Sequence, residues 1–140
     1  VDKTRAAWLA GTAKAASLSG NQWSTQEWVR FLEGMPATLS TAQLTELDAA
    51  LHFSGTPNGE IAQRWYPLTV RSGYAAARPE LEKFLIAIGR RKLIMPTWEA
   101  LTAKPEDLVF ARTVFAKAKP GYHPITTASV TAALDKVAKK

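Results

Sequence analysis

Pro79-Glu80-Leu81-Glu82-Lys83-Phe84-Leu85-Ile86-Ala87-Ile88-Gly89 is the stretch whose spacing decides the fold. Leu81, Phe84, Leu85 and Ile88 fall at i, i+3, i+4 and i+7, which lays one apolar stripe along a helix. Pro79 suits the first turn of that helix and Gly89 its end. The same period recurs at Leu44, Leu47 and Leu51, at Ile61, Trp65 and Leu68, and at Val130, Leu134 and Val137. No sustained period-2 alternation between hairpin turn signals accompanies it, so strands are not expected. The chain reads as all-α.

Start and stop signals divide it into about eight helices. An alanine-rich first helix is expected from near Thr4 to Ala16. Ser24 and Glu27 form a capping box for a helix carrying Trp28, Phe31 and Leu32, which Gly34 and Pro36 end. Ser40 caps the helix of Leu44 to Leu51, and Asn58 caps one from Gly59 to about Ser72. Pro67 lies inside that last helix and is expected to kink or split it. Pro96 is read as opening a short helix with Trp98 and Leu101, and Pro105 another through Phe110 and Phe115. Lys119-Pro120-Gly121 breaks that one, and a final helix runs from about Ile125 to Ala138. Short helices on tight loops bury their faces against immediate neighbours, either as an irregular bundle or as layered antiparallel pairs of the armadillo or HEAT kind. No linker or low-complexity segment divides residues 1–140, which are read as one domain. The Val1-Asp2-Lys3-Thr4 beginning suggests a piece of a longer polypeptide.

Composition narrows the chemistry. Of the 140 residues 46% are hydrophobic and 21% charged, an ordinary globular balance. No stretch reaches the roughly 20 apolar residues of a membrane-spanning helix. The absence of cysteine excludes disulfides, thiolate metal sites and cysteine nucleophiles. The two histidines, His52 and His123, stand far apart, and no H-E-x-x-H, Walker loop, G-x-S-x-G or G-x-G-x-x-G occurs. No metal or nucleophile centre is expected within the chain. His52 is read as a helix-end residue, and His123 as hydrogen-bonding across the entry to the last helix. Trp8, Trp23, Trp28, Trp65 and Trp98 are read as core. Glu99 and Asp135 have no carboxylate partner at helix spacing, so no acid/base pair is suggested.

Charge is unevenly placed. Residues 1–70 hold 5 Lys/Arg against 6 Asp/Glu, and residues 71–140 hold 13 against 6. The one tight cluster is Arg90-Arg91-Lys92, too short for a nucleic-acid arm and without interleaved aromatics. Two readings of it stay open. It can cap the exposed carbonyls of the helix ending at Ile88-Gly89. Alternatively it clamps an anion, with Arg90 and Lys92 converging as alternate residues of an extended segment while Arg91 faces away.

Three stretches bear on the choice: Asn58-Gly59-Glu60-Ile61 with Arg64-Trp65, Gly89-Arg90-Arg91-Lys92-Leu93 with Pro96, and Tyr122-His123-Pro124-Ile125-Thr126. In order and spacing they resemble the C-terminal helical domain of the leukotriene A(4) hydrolase/aminopeptidase group of zinc metallopeptidases, the gluzincin aminopeptidases. Pro67 and Arg91 depart from that pattern. The resemblance implies an α-α superhelix packed against a thermolysin-like domain of the same polypeptide, which supplies the zinc ligands and general base. It implies a hydrolase whose aminopeptidase activity needs that partner, with no zinc bound by this chain and the isolated chain inactive. Arg90 and Lys92 would bind the terminal carboxylate of a peptide substrate. Neither nucleic acid nor membrane is an expected partner, and a cytoplasmic setting is favoured. Two other classes stay open: a non-enzymatic α-solenoid interaction module, and a basic helical domain that binds nucleic acid. An upstream H-E-x-x-H with a glutamate about 18 residues on supports the peptidase reading. A nucleic-acid binder would instead lose affinity steeply with salt.

Overall fold

A computed structural model describes residues 1–18 and 23–138, among which every regular element is helical. In chain order these are α1 (Asp2–Leu9), α2 (Ala15–Leu18), α3 (Thr25–Glu33), α4 (Thr41–Leu51), α5 (Gly59–Ser72), α6 (Arg78–Ala87), α7 (Arg91–Leu101), α8 (Leu108–Ala118) and α9 (Pro124–Ala138). Short 3-10 turns at Ala75–Ala77, Pro105–Asp107 and Lys119–Gly121 lead into or out of α6, α8 and α9. The all-α expectation holds.

The caps fall where the sequence puts them. Ser24 and Ser40 each accept from the backbone N–H three residues on, while Glu27 and Gln43 reach back to the cap N–H. Asn58 Oδ1 accepts from the N–H groups of Glu60 and Ile61. Such caps satisfy amide donors that a helix start otherwise leaves without partners.

Three features differ from the sequence reading. The expected first helix is two, because Gly11 takes a left-handed φ of +80° that no α-helix continues through. α5 is not split at Pro67. Asn58 fixes one end, Gly73 closes the other at φ +71°, and the proline itself is buried between the neighbouring helices. The third difference matters most. Pro96 does not open a helix but lies within α7, which starts five residues earlier at Arg91. The buried stripe of Leu93, Ile94, Thr97, Trp98 and Leu101 outweighs the ladder bond the proline removes.

Four of the helices form a row: α3, α5, α7 and α9 pack in succession, while α2 packs on α4 and α6 on α8 as separate pairs beside it. The row runs in one direction. Asn58 Nδ2 donates to Thr25 Oγ1 at 2.9 Å, joining the starts of α5 and α3, whereas Arg64 pairs with Glu33 at the far end of α3. Lys92 reaches Glu60 near the starts of α7 and α5, and Lys104 Nζ, just past the end of α7, donates to the Arg71 carbonyl in the last turn of α5. A Cβ built on Gly89 would stand 3.4 Å from the Gly121 carbonyl, which brings the approaches to α7 and α9 together. All four helices therefore begin along one edge, and the three stretches singled out in the sequence lie on it.

Aromatic rings make much of the core. Trp28 meets Phe31 and Phe53, Phe53 meets Trp65, and Trp65 meets Tyr74, with centroids 5.1–6.4 Å apart. A second group joins Trp98, Phe115 and Tyr122. There the buried Tyr122 hydroxyl accepts from Trp98 Nε1 at 3.1 Å and donates to the Leu85 carbonyl at 2.5 Å. One side chain thus ties α6, α7 and the entry to α9.

Candidate functional site

α7 begins without a cap of its own. Arg90 holds the cap position with extended backbone (φ −72°, ψ 112°), its side chain makes no cap bond, and the first turn contains no acid. That terminus already concentrates partial positive charge from unpaired amides. Placing Arg90, Arg91 and Lys92 on it adds three cations where a helix normally recruits an anion.

The three side chains do not behave alike. Arg91 Nη2 donates to Ser129 Oγ on α9 at 3.2 Å. Lys92 turns the other way, and its ammonium meets Glu60 Oε1 on α5 at 3.2 Å. The Arg90 guanidinium is exposed and has no partner among the described residues. None of the three bonds a carbonyl of α6, so the reading as a cap for the preceding helix does not describe this segment. Nor is the segment extended, since Arg91 and Lys92 already lie in α7. The separation of Arg91 from Lys92 comes instead from helical geometry, which sends successive residues to different neighbours.

Lys92 ends a chain of ion pairs that the sequence reading did not include. Glu60 Oε2 accepts from Arg64 Nη1 at 2.8 Å, and Arg64 Nε donates to Glu33 Oε1 at 2.9 Å. The Arg64 guanidinium and, after it, the Lys92 ammonium hold the Glu60 carboxyl below the usual carboxylate range. The i, i+4 spacing of Glu60 and Arg64 was legible, but the bond to Lys92 depends on α5 meeting α7. Gly59 permits that meeting, because a Cβ there would stand 2.8 Å from Leu93 Cδ1.

Both histidines sit at helix ends. His52 closes α4 at φ +54°, and His123 Nδ1 accepts from Ile125 N at 3.1 Å across the entry to α9. Among the described residues no three His, Cys, Asp or Glu side chains are grouped to hold a metal ion. No described helix is long and apolar enough to cross a membrane. Trp8, Trp65 and Trp98 are buried, while Trp23 and Trp28 pack against the core from its margin.

Residues 23–134 match the model of the family described as leukotriene A4 hydrolase, C-terminal. The chain is also similar to two fungal proteins named leucine aminopeptidase 2. That of Yarrowia lipolytica is 31% identical over 72 residues, which is 51% of this chain and 11% of that protein. That of Pyricularia oryzae is 28% identical over 124 residues, covering 86% of this chain and 20% of that protein. The chain thus spans a fifth or less of the length of these curated relatives.

Proposed function

The chain belongs to the leukotriene A4 hydrolase C-terminal family, and from that premise we propose that it serves as the C-terminal helical domain of a zinc aminopeptidase, closing the substrate cleft and binding the far end of the peptide. The relatives named leucine aminopeptidase supply the reaction class, hydrolysis of an N-terminal residue. Zinc and the general base belong to another domain of the same polypeptide. Among the described residues no group of donors suits a metal.

The observation that carries the reading is the uncapped, acid-free start of α7 with the exposed Arg90 on it, which has no partner among the described residues. An aminopeptidase acting on short peptides must sense where its substrate ends. A fixed cation at one depth of the cleft does so by accepting the terminal carboxylate. Arg90 offers the planar two-pronged geometry a carboxylate fits, and Lys92 adds a second, less directional charge.

The test uses the full-length polypeptide and compares kcat/KM for a tripeptide with that for its C-terminal amide. Arg90→Ala should lower kcat/KM on the acid by roughly ten- to a hundredfold and erase the preference for acid over amide. Lys92→Ala should cost less. Arg91→Ala, whose guanidinium is directed to Ser129, should leave the preference in place. Equal losses on acid and amide in Arg90→Ala would refute the assignment.

A further inference from the structure

We infer that Glu60 is a specificity-determining residue of this same site: it positions the Lys92 ammonium beside the start of α7 and acts as a built-in rival to the substrate's carboxylate. The inference rests on the carboxylate-binding reading of Arg90 and Lys92.

Both oxygens of Glu60 are engaged, Oε1 by Lys92 at 3.2 Å and Oε2 by Arg64 at 2.8 Å. Arg64 is itself shared with Glu33. Along Glu33, Arg64, Glu60 and Lys92 the charges alternate and cancel, so the cluster presents Lys92 with its charge already balanced. Arg90 has no such partner among the described residues. The site therefore meets an incoming anion with one uncompensated guanidinium and one ammonium held in place by a fixed anion.

That arrangement has two effects. An ammonium has three N–H donors, and the Glu60 bond uses one while fixing the direction of the rest. The negative charge also repels a second carboxylate arriving at the same ammonium. Half-exposed Glu60 lies in a high-dielectric setting, where a like charge about 4 Å away weakens binding by roughly fivefold. Glu60 thus keeps the site open to carboxylates while limiting how tightly the product's carboxylate is held.

Glu60→Gln removes the charge at nearly constant size and keeps one acceptor oxygen, enough for Lys92 or for Arg64 but not for both. In the full-length enzyme it should raise the acid-to-amide ratio of kcat/KM by roughly fivefold, through a lower KM for the tripeptide acid. The gain should shrink in high salt. Glu60→Asp retains the charge and should keep the acid-to-amide ratio of the wild type. A loss of packing alone would move acid and amide together. If Arg90→Ala erases the acid preference but Glu60→Gln leaves or raises KM for the acid, the role given to Glu60 is wrong and the site itself stands. If Arg90→Ala leaves the preference intact, both fall together.

Discussion

Replacing Tyr122 by Phe removes a single oxygen that joins three elements. Leu85 lies in the last turn of α6, where a carbonyl has no helical N–H ahead of it, and the Tyr122 hydroxyl supplies the missing donor. The same oxygen accepts from the indole of Trp98, a residue without exposure. Tyr122→Phe leaves a carbonyl and an indole N–H without these partners. At about 1–3 kcal/mol for each buried group left unpaired, the loss is about 2–6 kcal/mol. For a domain of this size that lowers Tm by roughly 6–18 °C. Burial also pushes the phenol up to about 12, well above its ordinary value of 10.0. A folded-state pKa raised above the unfolded one contributes stability that is present below about 10 and lost as pH rises towards 12. Wild type should therefore lose stability more steeply than Tyr122→Phe across that window. Urea and thermal unfolding followed by circular dichroism at pH 7, 10 and 11.5 measure both effects. A Tyr122→Phe midpoint within experimental error of wild type at pH 7 would refute the reasoning.

Further outcomes follow from the caps and from the first helix. Ser24→Ala and Ser40→Ala each remove a side-chain bond to the third helical N–H, and each should cost about 1 kcal/mol in urea unfolding. The two changes should add, since they cap separate helices. The Arg30 guanidinium holds the exposed Asp2 carboxyl down at about 2 from its usual 3.8, so the stability it contributes is present above 3.8 and lost as pH falls towards 2. Asp2→Asn should flatten that part of an acid titration, measured by unfolding at fixed urea.

What the sequence conveyed of the fold was its local chemistry. Ser24 with Glu27, Ser40 and Asn58 announce helix starts through side-chain bonds that need only a few residues, and all three caps occur as read. The start of α7 was missed because it has no such bond. Arg90 caps nothing, and Pro96 offers a misleading start signal of its own. A usable clue was present in Ile94, Trp98 and Leu101, whose i, i+4, i+7 spacing runs through the proline. The consequence reached the site: the basic cluster was read as the end of one helix or as extended chain, and it is the start of another. Arg90 and Lys92 were legible as candidates from residue type and resemblance. Glu60 was not legible as their neighbour, because its bond to Lys92 joins positions 32 apart that meet only through packing of α5 on α7.

The row of four helices starting along one edge has an electrostatic meaning beyond any single contact. Each start is the positive pole of a peptide dipole, so four like poles stand side by side. Two of them are offset locally, by Glu27 in the first turn of α3 and Glu60 in that of α5. The first turns of α7 and α9 contain no acid. The potential along this rim is therefore graded, near neutral on the α3 side and increasingly positive towards α7 and α9. A diffusing anion meets that slope before it touches a side chain and drifts along it towards Arg90. Such guidance raises encounter rates and fades with ionic strength, whichever anion is being collected.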